Sequence, residues 1–148
     1  MNHYTRFFVM VPLHFIAMYI LMYAMVNEFG NVFNNFNQVY MAALMTTSMV
    51  LIEIPLMMSM YKSKKLNAII IAVGLIVLVG SFLLIQKQVA ISDRQFFRSM
   101  IPHHASAILM CKEAAIEDRE IQTLCGNIIA SQRAEIDQMK GKLDQLNP

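Results

Sequence analysis

Three long stretches with almost no charge constrain this chain more than any other feature. Between Arg6 and Glu28 lie 21 uncharged and mostly apolar residues. A second run, about Val39 to Met60, holds one acid, Glu53. A third extends from Leu66 to Gln86, again 21 residues, between Lys65 and Lys87. A helix needs about 20 residues to cross the hydrocarbon core of a bilayer. Only helices and closed barrels satisfy their backbone there, and runs this long exclude barrel strands. The sequence therefore predicts an all-α chain with three transmembrane helices. The first run is too long for a cleaved signal and has no small-x-small cleavage site before Glu28.

Composition supports this. Of 148 residues, 57% are hydrophobic and 15% charged, where soluble domains carry about 25% charge. One compact core of this size cannot hide that much apolar surface from water. The net charge of +2 is too small and too scattered for a nucleic-acid partner.

Charge also divides the chain. Residues 1–90 carry five Lys/Arg and two Asp/Glu, whereas residues 91–148 carry seven and eight. The break falls near Val89–Ser92. It separates a transmembrane region, 1–88, from a domain with the charge density of soluble helices, 89–148. Arg6 and the three lysines of the loop Tyr61-Lys62-Ser63-Lys64-Lys65 fall on one side of three spans. The opposite loop, Asn27 to Asn37, has one acid and no base. The positive-inside rule then places the N-terminus in the cytoplasm. Residues 89–148 are expected in the periplasm or outside the cell, on a multi-pass protein of the inner (plasma) membrane in contact with lipid. Lys87 argues the other way and is outweighed.

From Ser92 the apolar residues recur at helical spacing. Ser92 or Asp93 can cap a helix carrying Phe96, Phe97, Met100, Ile101, His104, Ala107, Ile108 and Cys111, ending near Ala115–Glu117. Asp118 can cap a second helix with Ile121, Leu124, Cys125, Ile128, Ile129, Gln132, Ile136, Met139 and Leu143 on one face. A short connection makes them an antiparallel hairpin. Gly126 is expected to permit a close approach. Two such helices bury little and need a partner surface. A second copy completing a four-helix bundle, the membrane surface and the transmembrane part are the candidates.

The segment from Met100 to Cys111 carries the chemistry. At about 100° per residue, Met100, His103, His104, Ala107, Met110 and Cys111 share one helix face. Pro102 removes a backbone hydrogen bond and can kink the helix, splaying the imidazoles toward one point. If residues facing each other across the turn sum to about 235, the His pair meets Gln132, Met100 meets Glu135, Phe96 meets Met139 and Met110 meets Cys125. Thioether and thiolate donors favour Cu(I), and imidazole also suits Cu(II) and zinc. Two histidines with a carboxylate are an alternative zinc set. Cys111 and Cys125 lie level across the hairpin; a disulfide, free thiols and added copper ligands all stay open.

These residues resemble a known family. F-F-R-S-M-I-P-H-H-A-S-A-I-L-M, followed by I-I-A-S-Q-R-A-E-I-D-Q-M, is similar over about residues 90–146 to the domain of unknown function 305. The resemblance implies a ferritin-like helical hairpin, here a half-bundle because longer members carry two. It also implies extracytoplasmic copper binding, as linked to some members. The matching positions are Met100, His103, His104, Met110, Gln132, Glu135, Ile136 and Met139. They make Met100, His103, His104, Met110, Gln132, Glu135 and Met139 the candidate metal ligands. The family pattern has no place for the two cysteines.

Within the spans, His14 and Glu53 are costly in lipid. Both lie about eight residues from a cytoplasmic end and are expected to pair. The leading functional expectation is a membrane-anchored copper-binding protein that buffers or hands over the ion, as a homodimer and with other metal-handling proteins. The alternative is a structural or interaction protein of the envelope without a metal. An enzyme is not expected. A ferritin-like di-metal site needs Glu-x-x-His motifs, and the chain has none.

Overall fold

The computed structural model describes residues 2–146. All regular structure among them is helical: α1 (His3–Leu21), α2 (Phe36–Leu56), α3 (Lys64–Gln86), α4 (Asp93–Glu113) and α5 (Arg119–Gln145), with short 3-10 turns at Met22–Met25 and Phe29–Asn31. The helix starts follow local chemistry. The Asn2 side chain accepts from the Thr5 N–H, Ser63 from Leu66, and Asp118 from Glu120 and Ile121. Each satisfies amides that a helix start leaves open. Ser92 occupies the cap position of α4, but its side chain makes no capping bond.

Three helices, His3–Met25 with its 3-10 extension, Phe36–Leu56 and Lys64–Gln86, are long and apolar enough to cross a membrane. Their side chains point outward: Leu13 and Ile20 are each 61% exposed and Ile76 is 72% exposed. α2 begins and ends earlier than the apolar run predicts. Pro55 lies inside α2, which stops one residue later at Leu56. Apolar Met57, Met58 and Met60 then lie in a turn.

The chain forms two compact units, which are described separately. The first comprises residues 2–22 and 37–89. Its core is Phe7, Val50, Ile54, Tyr61 and Ile70. The turn after α2 brings Tyr61 back onto its own helix, where its hydroxyl donates to Glu53 Oε1 at 2.7 Å. The expected His14–Glu53 pair is not formed: among the described residues the one ion pair lies elsewhere. The reason is depth. Glu53 sits three residues from the end of α2, about 5 Å, whereas His14 is eleven residues into α1, about 16 Å. Burial, then the hydrogen bond to Glu53 and the charge of that carboxylate, push the Tyr61 phenol up to about 12. Nearby, Tyr4 Oη donates to Asn67 Oδ1 at 2.8 Å, and buried Asn67 donates to the Tyr61 carbonyl at 2.7 Å.

The second unit comprises Tyr23–Phe36 and the residues from Ala90 onward. α4 and α5 pack as an antiparallel hairpin around Ile101, Ala105, Ile108, Ile136, Met139 and Leu143. Val26 and Phe33, from the segment between α1 and α2, pack against this core. Part of the surface the hairpin needs is therefore supplied by an earlier segment of the same chain. Proline explains one anchor of that segment. Pro102 lies inside α4 and has no N–H for the Arg98 carbonyl four residues back. Buried Asn35 donates its Nδ2 to that carbonyl at 3.4 Å. The Phe36 N–H also donates to Gln95 Oε1 at 3.0 Å.

Candidate metal site

α4 distributes its histidines to different surroundings. His104 is buried, 8% exposed, and His103 is exposed. Their rings lie 6.1 Å apart at 69°, so they diverge rather than converge as the proline argument predicts. His104 is held at both nitrogens. Its Nδ1 lies 2.8 Å from the Met100 carbonyl, one turn back. Its Nε2 lies 2.8 Å from Glu135 Oε2. A carbonyl only accepts, so Nδ1 carries a hydrogen and Nε2 is the atom directed across the hairpin. Ser131 Oγ donates to Glu135 Oε1 at 3.0 Å and holds the other carboxylate oxygen.

The pair 104–135 sums to 239, above the expected 235, while the cysteine pair 111–125 sums to 236. Helical side chains lean toward their own N-terminus. Two long side chains on antiparallel helices therefore meet when both residues lie beyond the level of their contact. Short cysteines report the backbone register more directly.

Met100 is half-buried against the hairpin core and presents its carbonyl, not its sulfur, to His104. Met139 is a buried core residue, and Gln132 is half-buried. Met110 is 54% exposed. The structure thus joins His104, Glu135 and the Met100 backbone, while His103 and Met110 lie on the exposed side of α4. Among the described residues no three His, Cys, Asp or Glu side chains group as a metal cluster.

Cys111 and Cys125 form a disulfide, with Cα atoms 5.2 Å apart. Gly126 does not provide that approach, because a Cβ placed there would meet nothing within 4 Å. The disulfide closes the turn end of the hairpin, where Met110, Ile121 and Leu124 are exposed. The apolar core lies toward the other end.

Residues 37–143 match the family described as Domain of unknown function (DUF305). The chain belongs to the DUF305 family. The match reaches beyond the hairpin and takes in α2 and α3. This DUF305 chain is also 34% identical, over 139 residues, to an uncharacterized protein, L153, of Acanthamoeba polyphaga mimivirus, covering 92% of this chain and 90% of that one. No solved structure matches it.

Sequence reasoning on this DUF305 chain missed Tyr61 as the partner of Glu53. It also missed the structural part played by Asn31 and Asn35, both buried. A signal existed: five of the eleven residues from Asn27 to Asn37 are Asn, a density that suits side chains answering backbone and polar groups.

Proposed function

We propose that this protein is a membrane-anchored, non-catalytic metal-binding protein, for copper, which buffers the ion or hands it to other metal-handling proteins outside the cytoplasm. The observation that carries this reading is the setting of His104. Its Nδ1 is committed to a backbone carbonyl and its Nε2 is aimed at a carboxylate, the orientation that outer hydrogen bonds give to ligating histidines. A tetrahedral ion about 2.0–2.2 Å from N and O ligands sets them about 3.3 Å apart, so the 2.8 Å pair needs only a small opening. Met100 and Met110 offer thioether sulfurs and His103 a second imidazole at helical spacing along α4, around small Ala107. A second copy facing that stripe would double the set, which supports a homodimer. Arg6 and the lysine loop support a cytoplasmic N-terminus, with lipid around the three apolar helices. A tag after Pro148 should then be accessible from outside intact cells.

The full chain in detergent, offered Cu(I), Cu(II) and Zn in competition, tests the site. For copper, His103→Ala with His104→Ala abolishes tight binding, Met100→Leu and Met110→Leu weaken it, and Glu135→Gln changes it little. For zinc, the Glu135 variant loses most of the affinity and the Met variants lose none. Retained Cu(I) affinity in the double His variant sinks the copper reading. One observation favours a second reading, an envelope interaction protein without a metal: with a second proton on its ring, His104 Nε2 donates to Glu135 and needs no metal. It requires the His variants to lower stability and leave metal uptake untouched.

A further inference from the structure

Away from the histidines, a half-open cavity of about 200 Å³ lies between the Asn27–Asn31 turn and α5. It is lined by Asn27, Glu28, Asn31, Arg133, Asp137 and Lys140 over a floor of Ile108 and Ile136. A single water takes about 30 Å³ of liquid, and drug-sized sites begin near 300 Å³. The space suits a small group of several heavy atoms. Arg133, Asp137 and Lys140 recur on α5 at helical spacing, so two cations and two carboxylates surround the cavity. Among the described residues no ion pair within 4.0 Å joins them.

Asn31 supplies the second observation. It is 4% exposed, and its Oδ1 is buried with no hydrogen-bond partner. The amide chain fixes its orientation. Asn27 Nδ2 donates to Glu28 Oε1 at 3.3 Å, and Asn31 Nδ2 donates to Asn27 Oδ1 at 2.9 Å. An acceptor buried without a donor costs free energy until something fills it. A group with N–H donors beside Asn31, Glu28 and Asp137, and an oxyanion beside Arg133 and Lys140, would satisfy every wall of this cavity.

We propose that the cavity binds a zwitterion of the phosphoethanolamine class, its primary ammonium on Asn31, Glu28 and Asp137 and its phosphate on Arg133 and Lys140. A phospholipid headgroup is the favoured source. Asn27 follows the first candidate span, which ends at Met25, by two residues, a reach of at most about 7 Å. Phe29, in the same turn, is 92% exposed and suits an apolar chain or interface better than water. This inference is independent of metal binding.

The test uses the full chain in detergent, with native mass spectrometry counting retained phosphatidylethanolamine, phosphatidylcholine and phosphatidylglycerol. A quaternary ammonium has no N–H for Asn31. Phosphatidylethanolamine should therefore be retained about tenfold over phosphatidylcholine, the effect of one charge-assisted hydrogen bond. Asn31→Ala and Asp137→Asn should bring that ratio toward one. Asp137 is exposed, so its variant keeps the test valid if the Asn31 variant misfolds. Arg133→Gln with Lys140→Gln should lower retention of both lipids together. Soluble phosphoethanolamine that displaces the lipid supports the ligand class with a free source; no displacement supports the lipid. Equal retention of the three lipids, or a preference unchanged in both ammonium-side variants, overturns the proposal.

Discussion

Opening the disulfide should loosen one end of the hairpin far more than the other. The perturbation is Cys111→Ser together with Cys125→Ser in the full chain. The bridge joins residues 14 apart in sequence. Closing a loop of about 15 residues removes about 3 kcal/mol of entropy from the open ensemble. Divided by about 1.4 kcal/mol per factor of ten, that is about a hundredfold in the opening equilibrium. The effect should concentrate at the turn. The buried cluster Ile101, Ala105, Ile108, Ile136, Met139 and Leu143 holds the far end without help from the bridge. At the turn, Met110, Ile121 and Leu124 are exposed and leave little apolar burial to replace it. Hydrogen exchange read by mass spectrometry is the assay. Amides around residues 109–128 should exchange up to about a hundredfold faster, and those of the Ile101–Ile108 stretch should change less. Unchanged exchange at the turn would refute the reasoning. So would alkylation of Cys111 or Cys125 in the untreated protein.

The other expectations concern the two cores. Ile108→Ala empties a site that is 1% exposed and should cost about 2–5 kcal/mol; Met139→Leu, which conserves volume, should cost less than about 1.5. Thermal unfolding of the second unit reads both. Tyr61→Phe leaves Glu53 without its hydroxyl donor and should lower stability by about 1–2 kcal/mol. The Tyr61 phenol is raised from the ordinary 10.0 to about 12. Its contribution is therefore complete below pH 10 and lost as pH rises through about 12. Tyrosinate absorbance during an alkaline titration should show a late-ionising tyrosine in the wild type that the Tyr61→Phe protein lacks.

The three apolar helices were legible because length and lack of charge are properties of the run itself. The hairpin was legible because α4 and α5 are amphipathic, and Asp118 announces the start of α5. What the sequence concealed depends on where helices stop. Hydropathy carried α2 on to Met60, and that error moved Glu53 to the depth of His14 and suggested a pair. Helix-face arithmetic placed His103 and His104 in one arc. Residues adjacent in sequence still diverge by about 100°, and here that angle separates a buried ring from an exposed one. The register was read correctly at the cysteines and missed at His104 because side-chain lean is invisible in a sum of residue numbers.

The bond from Asn35 to the Arg98 carbonyl spans 63 positions. The second unit is therefore discontinuous: its first strip is synthesised before two of the apolar helices, and its remainder after all three. An excised fragment beginning at residue 89 would lack Val26, Phe33 and Asn35. It would expose core surface and leave the proline-freed carbonyl to water. During synthesis the strip must wait until the last third of the chain has emerged. Completion of this unit therefore requires α4 and α5 to have been made and to have met the Tyr23–Phe36 strip.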